Sequence, residues 1–429
     1  MPRADRRRDD GAHVEAWADE RDAAARARAE RRRARRGESH GLLSTRWGRC
    51  LSGAVALLAL VTAVGLVVLW PHGDGPSGRQ LASTPTVEAT VTAVREQQCP
   101  GPYRQTCRSI VVRIEQGADR GRREPILLGP SNVSPTVDAG DGVRVQRAAG
   151  DPKMNVQRYG FTSVDRRSTM VWLALVFVAL VVLLARWRGL LALAGFAISL
   201  LLLTRFLVPA VSDGGPPFAV AIVGAFAVMF VTVGLTYGIA APSLAAILGI
   251  ATSLLLAGVL GTVAVHGARL DGRASELSQA LAQLNAGLSL QGVVLAGLVF
   301  GALGVLADQA VTQASAVMAL RRANPALTVR QVYNEALAVG RDHLIATTHT
   351  LVLVYVGATF PLLLVLDAGG VAGVDALNRE DLAEPIVATL VGAIALLVSV
   401  PLTTALAALI AAPAPTSALP ASAHAHHHH

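Results

Sequence analysis

Residues 297–315 read GLVFGALGVLADQAVTQAS. The run opens apolar and studded with glycine, then places Asp308, Gln309, Thr312, Gln313 and Ser315 within the same helix-length stretch. Gly297, Gly301, Gly304, Asp308, Thr312 and Ser315 are spaced 4, 3, 4, 4 and 3, which puts all six on one face of one helix. That face covers about 27 Å at about 1.5 Å per residue. Its first half is a small-residue face, with a GxxxG at 297–301 that lets another helix approach closely. Its second half is polar. An aspartate at the centre of a membrane helix costs about 2.5–3.5 kcal/mol and must face the bundle, a water-filled cavity or a partner. A carboxyl that changes protonation at membrane depth suits a proton- or cation-coupled carrier. The alternative is a hydrogen bond to a neighbouring helix with no further role.

Candidate partners lie in GRDHLIATTHT, residues 340–350. His343, Thr347 and Thr350 follow at i, i+4 and i+7 on one helical face. Asp342 and His349 share another. Arg341, Asp342 and His343 read as a cytoplasmic-interface cluster. His349 lies about 9 Å deeper than His343 and can titrate near neutral pH, or it packs through a hydrogen bond. These His and Asp spacings match no familiar metal-binding helix pair, so no metal is expected. The chain has no GxxxxGK[ST], HExxH or CxxC pattern, so no cofactor is expected and an enzyme is the weakest class.

These residues need a membrane to position them. Of 429 residues, 52% are hydrophobic and 16% charged. Eight apolar spans lie near 51–70, 170–185, 190–211, 217–236, 242–264, 290–320, 344–366 and 386–411, each suited to a core of about 30 Å. The expected fold is mainly α, a polytopic membrane helix bundle with a small β-domain inserted after the first helix. Short-loop arginines set its orientation. RWRG (186–189), the basic segment 321–343 and the N-terminal tail fall on one side, which is cytoplasmic by the positive-inside rule. The acidic loop 367–385 falls on the other. Both termini are then cytoplasmic.

Residues 1–49 hold 14 Arg against 9 Asp and Glu. They read as a disordered basic tail near anionic lipid. No base-reading fold accompanies the arginines, so nucleic acid is not an expected partner. Residues 50–70 form an uncleaved first anchor. Residues 71–168 carry short β-branched runs, VEATVTAV (87–94), SIVVRIE (109–115), PILL (125–128) and GVRVQR (142–147), punctuated by Gly, Pro and Asp. That pattern predicts an extracytoplasmic antiparallel β-domain, a five-stranded barrel being the natural form. Cys99 and Cys107 bracket PGPYRQT, and an outside location permits their disulfide; Cys50 stays free. Residues 169–412 form the seven remaining spans. Between the sixth and seventh, Thr328-x-x-Gln331 is a capping box that starts an amphipathic cytoplasmic helix near 328–340, along the membrane surface. Residues 413–429 form a disordered tail whose His tract reads as a tag remnant or a solvated end.

The chain resembles the YibE/F-like family of bacterial multi-pass membrane proteins from about Val87 to Ile410. The resemblance is carried by RWRGL (186–190), VMFVT (228–232), GALGVLADQAVTQASAV (301–317), NP (324–325), GRDHLIATTHTLVLVYVGATFPLLL (340–364), LNRE (377–380) and VPLTTALAAL (400–409). In the family pattern a second acidic residue is frequent at the position of Ala307, and an asparagine at that of His349. The resemblance implies a plasma-membrane protein with an extracytoplasmic β-domain ahead of seven further spans. It implies no substrate.

Two functional readings follow. In the first, the chain is a transporter or export-related permease for an ion or small solute, with Asp308, Gln309, Thr312, Gln313, Ser315, Thr347, His349 and Thr350 as its intramembrane polar site. In the second, it is an envelope assembly or sensory scaffold, with the β-domain and the helix at 328–340 docking envelope or cytoplasmic proteins.

Overall fold

The computed structural model describes residues 46–73, 86–99, 105–147, 158–238, 240–274, 278–280, 283 and 288–411. The expectations for the basic tail and for the C-terminal tail with its His tract lie outside the described residues. The chain divides into two compact units, Ser77–Leu190 and a helical unit of Met1–Pro76 with Leu191–His429.

The first unit holds a curled antiparallel sheet of β1 (Thr86–Gln98), β2 (Thr106–Ile114), β3 (Arg123–Pro130), β4 (Gly142–Arg147) and β5 (Tyr159–Val164), in the order β3-β2-β1-β4-β5. Period-two alternation turns Ile110, Val112 and Ile114 of β2 inward, where they meet Ala89, Val91, Ile126, Val143 and Val145. The long β1 pairs with both β2 and β4, and it does so across a bulge between Val91 and Ala93 that bends it. The expected barrel is closed by side chains, not by a backbone ladder, among the described residues. The buried Tyr159 donates its hydroxyl to Asp119 Oδ2 at 2.7 Å, and Arg158 reaches Glu124 of β3 at 4.0 Å. That hydrogen bond holds the Asp119 carboxyl below its usual range, while burial and the same bond push the Tyr159 phenol up. The sign is that of a depressed acid: the contribution is present above the ordinary carboxyl pKa and is lost as pH falls through the lowered one. Cys99 and Cys107 form the expected disulfide, which joins the ends of β1 and β2, and Cys50 is free.

Among the described residues, seven helices are long and apolar enough to cross a membrane. They are α1 (Arg46–Val68), the stretch Arg167–Ser212, α4 (Pro217–Tyr237), α5 (Ala241–Gly267), α6 (Leu290–Ala323), α7 (Val329–Ala368) and, after the short α8 (Gly373–Asn378), α9 (Glu380–Ala411). Arg167–Ser212 contains α2 (Arg167–Leu202), a π-helical turn at Leu203–Leu207 and α3 (Val208–Ser212). Its 46 residues would span about 69 Å if straight, over twice the hydrocarbon core. It is not straight. Arg186 has φ 51° and ψ −130°, outside the helical region, and a Cβ on Gly189 would lie 2.5 Å from the Val181 carbonyl oxygen. Eight residues of straight helix would separate those positions by about 12 Å. The chain therefore bends sharply at RWRG, where the sequence placed the loop between spans two and three. Gly189→Val drives a side chain into that backbone. The expected loss is about 1–3 kcal/mol, as for overpacked sites, read as a lower midpoint in unfolding of the purified chain.

In the helical unit, α5 is the most enclosed helix. It is apolar on every side, the pattern of a helix buried all round. Its small residues explain how neighbours come close on several sides. Gly249 faces Thr403 of α9, Gly258 faces Phe218 of α4, and Gly261 faces Leu298 of α6. Gly65 of α1 sits on Val223 of α4.

The capping box that begins α7 is present: Thr328 accepts from the Gln331 amide, and Gln331 reaches back to the Thr328 amide. The helix it starts differs from the expected surface segment. It runs unbroken for 40 residues, about 60 Å, so the helix at 328–340 and span seven are one element. Gly340 does not end it, because that glycine is a contact point: a Cβ there would lie 2.6 Å from Gln313 Oε1. Val332 and Ala336 are buried in the bundle core. The apolar face read as a surface or docking face is thus largely taken up within the chain.

Candidate functional site

Helix α6 is capped by Ser289, whose side chain accepts from the Gly292 amide at 3.1 Å, and it ends at Arg321 and Arg322. It runs from the end of the unit that bears Glu380, Asp381 and Glu384 to the end that bears the arginines. Gly297, Gly301, Gly304, Asp308, Thr312 and Ser315 do share one face, and all six are exposed. Of the three glycines expected to pack closely, only Gly301 is approached. Nothing approaches a Cβ position within 4 Å at Gly297 or Gly304, and Gly301 meets only the Tyr355 hydroxyl, at 3.0 Å. Glycines permit a close approach but do not cause one. Here the neighbours pack on the opposite face, on Leu306, Gln309, Ala310, Gln313, Ala314 and Val317.

Helix α7 runs antiparallel to α6 and touches it at both ends of the polar stretch, through Tyr355 at Gly301 and Gly340 at Gln313. Asp308 lies about 10 Å along α6 from the first contact and about 8 Å from the second. The same rise puts Ala346 and Thr347 of α7 at its level, with His343 and Thr350 within a turn on either side. These residues therefore share one depth, although His349 lies about 180° around α7 from Gly340 and so off the face that meets α6. His343, His349 and Thr350 are exposed, and Thr347 is half-buried. The Thr347, Thr348 and Thr350 hydroxyls donate back to the carbonyls of His343, Leu344 and Ala346 at 2.8, 2.9 and 3.1 Å. Their oxygens remain able to accept. Asp308, Arg341 and Asp342 are exposed and form no ion pair among the described residues. No metal-binding cluster of His, Cys, Asp and Glu occurs among the described residues.

Gln309 and Gln313 do not join Asp308. They point to the other side of α6 and are only 1% and 2% exposed. Gln313 Nε2 donates to the Ala336 carbonyl at 2.8 Å and to Thr404 Oγ1 at 2.7 Å, which ties α6 to α7 and α9. Gln309 is different: neither its amide nitrogen nor its oxygen has a partner among the described residues, and the same holds for the buried hydroxyls of Ser253, Ser399 and Thr403. Contacts fix their relative heights. Gly249 meets Thr403, and Gln313 meets Thr404. One turn further toward the acidic end, α5 presents Ser253, α6 presents Gln309 and α9 presents Ser399. Other membrane-helix hydroxyls, such as Thr232, Thr262 and Thr389, bond to their own i−4 carbonyls; these do not.

Sequence reading missed Ser253, Ser399 and Thr403, small polar residues in otherwise apolar helices. The available signal was the i, i+4 spacing of Gln309 and Gln313, about 100° around the helix from Asp308 and Thr312.

Residues 173–413 match the family model described as YibE/F-like protein. The match begins at the membrane helices, so the β-domain lies outside it, although the resemblance read from the sequence reached back to Val87. Neither the curated proteins nor the solved structures hold a match to the chain. A match over more than half of 429 residues, on a bundle of long apolar helices, settles kinship: the chain belongs to the YibE/F-like family.

Proposed function

We propose that the helical unit is a permease for an ion or small solute, with the groove between α6 and α7 as its path and Asp308 as the coupling group. One observation carries this reading. An acid near the middle of a long apolar helix faces out of the packed bundle, on a continuous face of glycine and hydroxyl residues, with no ion partner among the described residues. Lipid on that face would cost about 2.5–3.5 kcal/mol for the acid alone, so water or a bound cation is the natural occupant. The Thr and His side chains of α7 line the same depth. The host is a bacterial plasma membrane, with both termini cytoplasmic and the β-domain outside. The arginine-rich loop at 186–189 and the disulfide, which an oxidising compartment favours, support that placement.

The test is proton flux into proteoliposomes under an imposed potential, read with an internal pH dye. Flux that depends on the chain supports the reading, and rates equal to empty vesicles contradict it.

A further inference from the structure

Toward the acidic end of α6 and α7, the helical unit holds a half-open cavity of about 360 Å³. That is within the range of small-molecule sites. Leu270, Val294 and Leu298 supply aliphatic wall, and Gly297 supplies open floor because it has no side chain. The lining also carries the Glu384 carboxylate, the Tyr355 phenol and Ser278. Neighbouring acids are already engaged: Glu380 accepts from the Gly272 amide at 2.7 Å, and Asp381 pairs with Arg379 at 2.8 Å. Among the described residues, Glu384 and the Tyr355 hydroxyl have no hydrogen bond or ion partner, and no basic side chain lines the cavity.

We infer that this cavity binds a small monovalent organic cation with an apolar body, such as a quaternary or primary ammonium. An unpaired carboxylate beside apolar wall asks for a compensating positive charge. The aliphatic surface favours a ligand with a hydrocarbon face over a hydrated metal ion. The Tyr355 ring adds a cation–π surface suited to an alkylammonium head. Gly297 is also the first residue of the α6 stripe, and Tyr355 stands against Gly301 between the cavity and Asp308. The inference deepens the permease reading and rests on it for onward transfer, whereas binding at Glu384 stands on the cavity alone.

The probe is radiolabelled benzyltrimethylammonium, which is charged at every pH, in equilibrium dialysis against the full chain in nanodiscs, with empty nanodiscs subtracted. Saturable binding is expected. Glu384→Gln weakens it at least tenfold. Gly297→Leu abolishes it by filling the cavity, at a position with nothing within 4 Å to clash. Asp308→Asn leaves it unchanged. No saturable binding to the wild type overturns the inference. So does Glu384→Gln binding within twofold of wild type, or equal displacement by the neutral isostere neopentylbenzene. Binding without any flux overturns the permease reading and leaves the site standing.

Discussion

Asp308→Asn is expected to lower proton flux through reconstituted vesicles at least a hundredfold while leaving the amount of folded protein unchanged. The substitution keeps the side chain's size and removes its charge and its titration. The structure says why folding survives. Asp308 is exposed and holds no hydrogen bond or ion pair that its loss would orphan among the described residues. Its replacement therefore leaves the variant no less stable. A purely structural acid predicts the opposite pair of results, altered stability and unaltered flux. Thr312→Val, one turn along the same face, changes wetting without removing a charge, and its effect stays within tenfold. Full flux in Asp308→Asn removes that residue from the mechanism.

The second large effect separates two glutamines that are one helical turn apart. Gln313→Leu removes the bonds to Ala336 and Thr404 that join three helices. The expected loss is about 1–3 kcal/mol, the usual penalty when buried polar partners are stripped. Gln309→Leu has the opposite sign. Both of its amide atoms are buried without partners, so an apolar side chain of similar size is expected to stabilise the bundle by about 1–3 kcal/mol. Unfolding of the two variants in matched detergent checks both signs. Loss of stability in Gln309→Leu would contradict the expected gain and would mean that a ligand or water supplies the missing bonds.

The contrast shows what the sequence could carry. Helical spacing assigned Asp308, Thr312 and Ser315 to one face, and that assignment holds because it needs only the helix period. It did not reveal whether the face is packed. Gly297 and Gly304 look like packing residues by type, yet nothing meets them, because packing depends on where α7 crosses, and that crossing is set by Tyr355 and Gly340. Grouping Gln309 and Gln313 with Asp308 followed proximity along the chain. About 100° of helical rotation sends them into the core instead. The bend at Arg186 was legible from its arginines and glycine. The continuity of α7 was not, because Gly340 resembles a helix end when its contact with Gln313 is unseen. In the β-domain, period-two alternation located four of the five strands. Tyr159, which opens the fifth, lay outside the runs singled out and is fixed by a hydrogen bond to Asp119 from another turn.

A permeation path beside Asp308 must be wet in the membrane. It is tested most directly by placing single cysteines at Thr312 and Ser315 in a Cys50→Ser background. Their labelling by a membrane-impermeant, charged thiol reagent is then measured in sealed vesicles of both orientations. A wet path gives rapid labelling at both positions, slowed by Asp308→Asn, while a control cysteine at Val354, on the exposed apolar side of α7, stays unlabelled. Thr312 and Ser315 cysteines as inert as the Val354 control would show a dry face and would rule out a path beside Asp308.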